Sequence, residues 1–158
     1  MRRTPLQHQY TYDVSMFRDT FETRFTYLNG FLRNVSRFGT RPALHDPLSG
    51  RRWTYRELNA EANRLAHALR ADGVGKNDVV MFTLLNSPEF VFCYLAAHKI
   101  GAIACPVNYR QGAGEIALVI DDSRPKAFFY DAEFGELSGG ALELCGHKPQ
   151  TVVMVDYK

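Results

Sequence analysis

Over the first two dozen residues the apolar positions follow no clear period, and residues 1–24 are expected to form an extended arm. From Phe25 the pattern changes. Phe25, Leu28, Leu32, Val35 and Phe38 recur at helical intervals, and Gly39 followed by Pro42 ends the run. Ala43 to His45 and Arg52 to Tyr55 are two short runs around the turn formers Pro47, Ser49 and Gly50, which predicts a β-hairpin. Thr54 is a good N-cap, and Glu57 stands three residues later, at capping-box spacing. The helix it opens carries one apolar stripe, Tyr55, Leu58, Ala62, Leu65 and Leu69, with Glu61, Arg64 and Arg70 off it. Gly73 is placed to end that helix left-handed, with Val74 as the hydrophobic contact.

The period then shortens. "DVVMFTLL" is a continuous apolar run of strand length, as a strand buried on both faces requires. Asn86-Ser87-Pro88-Glu89 combines a polar cap, a proline in the first turn and an acid, so a helix starts there. That helix, "PEFVFCYLAAHKI", is apolar on nearly all sides and belongs between layers. Gly101 should stop it with a positive φ. Ala102 to Val107 follows as a core strand, with Ala102 to Cys105 expected inside the sheet and pairing expected to fail near Pro106. Beyond the loop Asn108 to Gln111 come a helix from about Gly114 to Ser123, a strand "KAFFYD", a weaker helix over Leu137 to Cys145 and a strand "TVVMVDY". Helices and strands alternate from Thr54 onward. The fold class is therefore α/β, a mainly parallel sheet with helices on both faces and a short N-terminal β-hairpin.

Composition narrows the class without naming a function. A chain of 158 residues supports one domain with a real core. Hydrophobic residues at 46% and charged residues at 23% suit a globular protein. The net charge is only +2 and the basic residues are scattered, so no nucleic-acid partner is expected. The longest apolar run, Phe90 to Ala97, is far short of a transmembrane segment. No apolar segment follows Met1-Arg2-Arg3, which argues against a secretory signal and for a cytoplasmic location. Cys93, Cys105 and Cys145 are odd in number and widely spaced, and are read as free thiols.

One motif invites a site. Gly112, Gly114 and Ala117 fit the G-x-G-x-x-A pattern ahead of a helix, and Asp131 ends the next strand about where a ribose-binding acid would stand. A dinucleotide turn needs its first glycine at the strand end, however, and here Asn108, Tyr109, Arg110 and Gln111 intervene. The plainer reading is a polar loop before a helix cap. Ser138-Gly139-Gly140 lacks the lysine and threonine of a phosphate loop and reads as a helix-start loop. Phe17, Phe21 and Phe25 are expected to pack on the domain.

Four local patterns, in order, carry a resemblance. They are Trp53-Thr54-Tyr55-Arg56-Glu57-Leu58; Leu65-Ala66 followed by Gly73 to Val80; Leu85-Asn86-Ser87-Pro88-Glu89-Phe90; and Lys99-Ile100-Gly101-Ala102 leading to Pro106-Val107-Asn108-Tyr109-Arg110. Together the stretch resembles the N-terminal part of AMP-forming acyl-CoA synthetases, a branch of the adenylate-forming enzymes. The resemblance implies that residues 25–158 are part of their larger N-terminal domain. It also implies a ligase that converts a carboxylic acid, fatty or aryl, to an acyl-adenylate with ATP and Mg²⁺ and then passes it to coenzyme A. The family's phosphate loop and its other catalytic residues find no counterpart here. No catalytic, cofactor-binding or metal residue is therefore assigned, and the chain alone is expected to bind no cofactor and to be inert, a truncated fragment. Two alternatives stay open: a nucleotide-binding module using the loop 112–117, and a non-catalytic domain that self-associates into a homo-oligomer.

Overall fold

A computed structural model of the chain describes residues 13–157. The first twelve residues of the expected arm lie outside the described residues. The rest of the arm is not extended. Helix α1 (Val14–Phe17) is capped by Asp13, whose carboxylate accepts from the Ser15 N–H at 2.8 Å, and it runs straight into a π-helical turn, Arg18–Glu22. Helix α2 (Tyr27–Phe38) follows, capped by Thr26. Strands β1 (Pro42–His45) and β2 (Arg52–Thr54) pair antiparallel as the hairpin.

Helix α3 (Tyr55–Ala71) starts with the capping box: Thr54 Oγ1 accepts from the Glu57 N–H, and Glu57 Oε2 accepts from the Thr54 N–H at 2.8 Å. Its end is the expected left-handed one. Gly73 has φ +81°, its N–H donates to the Arg70 carbonyl, and the Val74 N–H donates to the Leu69 carbonyl. Strand β3 (Val79–Thr83), helix α4 (Pro88–Ile100), strand β4 (Ile103–Pro106), helix α5 (Ala113–Ser123) and strand β5 (Ala127–Asp131) come next. A short 3-10 turn (Ala132–Phe134), helix α6 (Gly135–Leu144) and strand β6 (Thr151–Val155) complete the described chain.

The sheet has four strands in the order β4-β3-β5-β6, all parallel. Because side chains alternate along a strand, β3 and β5 feed two cores at once. Val80, Phe82, Ala127 and Phe129 meet Ala66 and Leu69 of α3 and Cys93, Ala96 and Ala97 of α4 on one face. Met81 and Phe128 meet Ile116, Ala117 and Ile120 of α5 and Ala141 of α6 on the other. A third layer lies outside α3 and α4. There Phe31 of α2 and Leu44 and Trp53 of the hairpin cover Leu58, Ala62 and Leu95. The apolar run of β3 thus marks a strand buried on both faces, as read from the sequence.

β4 departs from expectation. It pairs with β3 alone and lies at the edge of the described sheet, with Ile103 half-exposed. Pairing also persists past Pro106. The Ile103 and Val107 N–H groups donate to the carbonyls of Asp78 and Phe82. Alternation then turns position 106 outward, so the N–H that proline lacks would have faced the open edge. At the opposite end of the sheet, Asp78 ties three segments together. Its carboxylate accepts from the Gly75 N–H (2.7 Å) and from Lys126 Nζ (3.2 Å), which also donates to the Gly73 carbonyl. The Gly75 bond, with Lys126 second, holds the Asp78 carboxyl below its ordinary range.

Candidate functional site

Parallel strands bring their carboxyl ends to one edge of the sheet. β3 ends at Thr83 and β5 at Asp131, and the two are neighbours. The helix after β3 packs on one face and the helix after β5 on the other. The connections therefore part between β3 and β5. Such a switch point opens a crevice outside the carboxyl ends, the usual ligand position in open α/β sheets.

The polar side chains gathered here are incompletely paired. Thr83 is fully buried, and its hydroxyl has no hydrogen-bond partner. Asp131 is 2% exposed; Oδ1 accepts from the Glu133 N–H at 3.0 Å and Oδ2 has none. Glu89, in the first turn of α4, holds Arg51 Nη2 at 3.1 Å through Oε1, while its buried Oε2 is unpartnered. Ser87 caps α4 by accepting from the Phe90 N–H, and its Oγ meets the Tyr157 hydroxyl at 3.1 Å. Burial, and then the nearby carboxylates of Asp131 and Glu89, raise the Tyr157 phenol well above its ordinary range, so it stays protonated. Beside them a cleft of about 380 Å³ opens between Ser49, Arg51, Asn86, Ser87 and Tyr157. Buried oxygens without donors cost about 1–3 kcal/mol each unless something supplies a hydrogen. The cleft itself is lined by the polar groups of Ser49, Arg51, Asn86, Ser87 and Tyr157, while the unpaired oxygens of Thr83, Glu89 and Asp131 are buried outside its lining.

The tempting glycine motif assembles differently. β4 ends at Pro106, and Gly112 serves as the N-cap of α5 with φ −74°. Its N–H donates to Glu115 Oε2 at 2.8 Å, so the group that would face a phosphate is used inside the helix start. A Cβ on Gly114 would meet open space, and Asp131 caps the 3-10 turn. The loop is held by Asn108 Oδ1, which accepts from the Arg110 N–H, and by Tyr109 stacked on Phe134 at 4.9 Å. Ser138, Gly139 and Gly140 do not form a helix-start loop; they lie inside α6, where Gly140 faces Ala113 of α5. Burial pushes the Cys93 thiol up to about 12, far from a reactive thiolate. Among the described residues no group of three or more His, Cys, Asp or Glu could hold a metal ion. Thr83, Ser87, Glu89 and Tyr157 were not assigned from sequence, and Asp131 was singled out only as the ribose-binding acid of the nucleotide-binding alternative. The available signal was a polar residue closing each of two apolar strands, and only the strand order makes them neighbours.

A family model described as AMP-binding enzyme matches residues 31–158. The chain is 45% identical over 106 residues to the 3-hydroxybenzoate–CoA/4-hydroxybenzoate–CoA ligase of Thauera aromatica, a match covering 65% of this chain and 20% of that protein. It spans only about a fifth of that curated relative. Among solved structures, the N-terminal domain of FACL13 from Mycobacterium tuberculosis superposes with a TM-score of 0.71 at 31% identity, over 80% of this chain and 32% of that one. The anthranilate CoA ligase AuaEII, solved with anthranoyl-AMP, gives a TM-score of 0.73 at 27% identity, over 81% of this chain and 24% of that one.

Proposed function

The chain belongs to the AMP-binding enzyme family, and on that premise we propose that it serves as part of the N-terminal domain of an ATP-dependent carboxylic acid–CoA ligase acting through an acyl-adenylate. The observation that carries this reading is the family match running through nearly the whole α/β sheet, from α2 to β6. The acid is fatty or aryl, as the resemblance implies, and the hydroxybenzoate and anthranoyl ligands named for two relatives support the aryl case. ATP, Mg²⁺ and coenzyme A are the co-reactants of the full-length reaction, and the cytoplasm is its proposed setting. Among the described residues no helix is long and apolar enough to cross a membrane.

The residues present do not fit ATP and Mg²⁺ as a binding site of their own. The one glycine-rich loop at a helix start turns its N–H onto Glu115, and no cluster of ligands for a metal exists among the described residues. This chain's role in the reaction is therefore architectural. It builds the sheet, closes both of its faces and presents the carboxyl-end crevice. Alone it is inert in adenylation.

Two measurements test the reading separately. Acid-dependent exchange of pyrophosphate into ATP, measured on this chain with benzoic, hydroxybenzoic and long-chain acids, should stay at background; turnover would overturn the inertness. Grafting the chain in place of the matching segment of the Thauera aromatica ligase tests the ligase role. A chimera that folds and retains exchange supports it, and one that folds without exchange refutes it.

A further inference from the structure

The segment from Asp13 to Arg41 carries a surface that neither the sheet nor the crevice uses. Phe17, Phe21 and Phe25 follow at four-residue intervals, and their rings stack on one another at 4.6 and 5.0 Å between centroids. Contrary to the sequence expectation of packing on the domain, the three residues remain 42%, 50% and 61% exposed. Val14 and Met16 beside them are also exposed, as is Leu32 on α2. Exposed apolar area that is this contiguous marks an interaction surface.

The charge is unevenly spread: Asp13, Asp19 and Glu22 accompany Arg18 and Arg24 beside the phenylalanines, whereas α2 and its flanks are purely basic. From Thr23 to His45 the chain holds Arg24, Arg33, Arg37 and Arg41 and no acid. One guanidinium sits on the stack itself, Arg33 at 5.5 Å from the Phe25 ring centroid; Arg37 and Arg41 lie 5.8 and 5.4 Å from the centroid of Phe38 at the end of α2. Arg33 Nη1 also donates to the Arg24 backbone carbonyl at 2.9 Å, and both residues line one open cleft of about 430 Å³ with Leu32. Of the nearby acids, Asp13 caps α1, and Asp19 and Glu22 are on the π-helical turn, where Glu22 is 3.8 Å from Arg18.

We propose that this face docks the chain on an anionic lipid surface, with the phenylalanine stack at the boundary of headgroups and acyl chains and Arg24 and Arg33 on lipid phosphates. Aromatic rings in the apolar layer with arginines reaching back to the headgroups is the arrangement that holds an interfacial helix. A nucleic acid fits less well. Stacking a base needs a free ring face, and both faces of Phe21 are taken by Phe17 and Phe25. The surface is independent of the ligase reading, since it uses none of the crevice residues.

Co-sedimentation of the 158-residue chain with vesicles tests it. The chain should bind vesicles of phosphatidylcholine mixed with equal phosphatidylserine, more weakly at high salt, and should bind phosphatidylcholine alone poorly. Each arginine lost should weaken binding about fivefold, so Arg24→Gln with Arg33→Gln should lose about tenfold or more. Replacing Phe17, Phe21 and Phe25 together by serine should abolish it with the melting temperature unchanged. Failure of the parent chain to bind the anionic vesicles would overturn the proposal. So would binding that is indifferent to salt and to both sets of substitutions, or tighter binding to a single-stranded oligonucleotide than to the vesicles.

Discussion

Gly101 is a residue whose absent side chain decides a local structure. Its φ is +73°, its N–H donates to the His98 carbonyl, and the Ala102 N–H donates to that of Ala97, which closes α4 and aims the chain into β4. A Cβ there would stand 3.4 Å from Lys76 Cγ. Valine at this position combines a left-handed strain of about 1–2 kcal/mol with crowding against Lys76. Gly101→Val should therefore lower the melting temperature by about 4 °C or more. Gly112→Ala, at φ −74° with its nearest new contact at 3.8 Å, should leave it nearly unchanged. Two melts side by side check this, and coincident curves would contradict it. His98 gives a second residue-scale expectation. Burial lowers its pKa, its Nε2 is unpartnered, and the rings of Tyr27 and Tyr94 lie against it. The unfolded chain then takes up the proton first, so this residue's share of stability is full above about pH 6.5 and is lost as pH falls toward the lowered folded pKa. Urea midpoints above and below that pH should differ less in His98→Gln than in the parent.

Among elements, the helices whose ends carry explicit caps were legible, and those shaped by contact were not. The boundaries of α3 and α4 follow from Thr54, Glu57, Gly73, Ser87, Pro88 and Gly101 because each satisfies or releases a backbone group locally. α6 has no side-chain cap, and its paired glycines look like a loop in the sequence. They serve different ends within it. A Cβ on Gly140 would meet Ala113 Cβ of α5 at 3.4 Å, whereas one on Gly139 would meet nothing within 4 Å. Gly139→Ala should then stabilise by about 0.5–1 kcal/mol through helix propensity and a less flexible unfolded chain. Gly140→Leu should destabilise by about 1–3 kcal/mol by forcing α5 and α6 apart. Denaturant titration of the two variants reads both signs, and a stabilising leucine would show that the helices do not meet there.

At the scale of the whole molecule, unpaired buried oxygens gather at the carboxyl ends of the sheet. Thr83 and Asp131 close the adjacent strands β3 and β5, but alternation turns Thr83 to the Met81 face and Asp131 to the Phe129 face, which α4 with Glu89 covers. If the crevice is held for a ligand at some expense of stability, Thr83→Val should stabilise the chain by about 1 kcal/mol or more, because it removes an unsatisfied hydroxyl without changing shape much. In the ligase chimera the same change should preserve folding and lower exchange. A neutral or destabilising Thr83→Val would mean that a partner for the hydroxyl exists.

The sequence by itself determined the helices and strands from α2 to β6 apart from the start of α6, because period, caps and breakers act within a few residues; the helical turns over 14–22 and the glycines inside α6 were not legible in it. It also determined that the β3 run is buried on both faces, since no polar side is left to face water. The order of its motifs was enough to recognise the family. What only the tertiary structure decided depends on non-local pairing. Strand order put β4 at an edge and turned Pro106 harmlessly outward. It placed Thr83 beside the end of β5 and set Gly140 against α5. Residues far apart in the chain become neighbours only when a sheet chooses its order, and no local pattern encodes that choice.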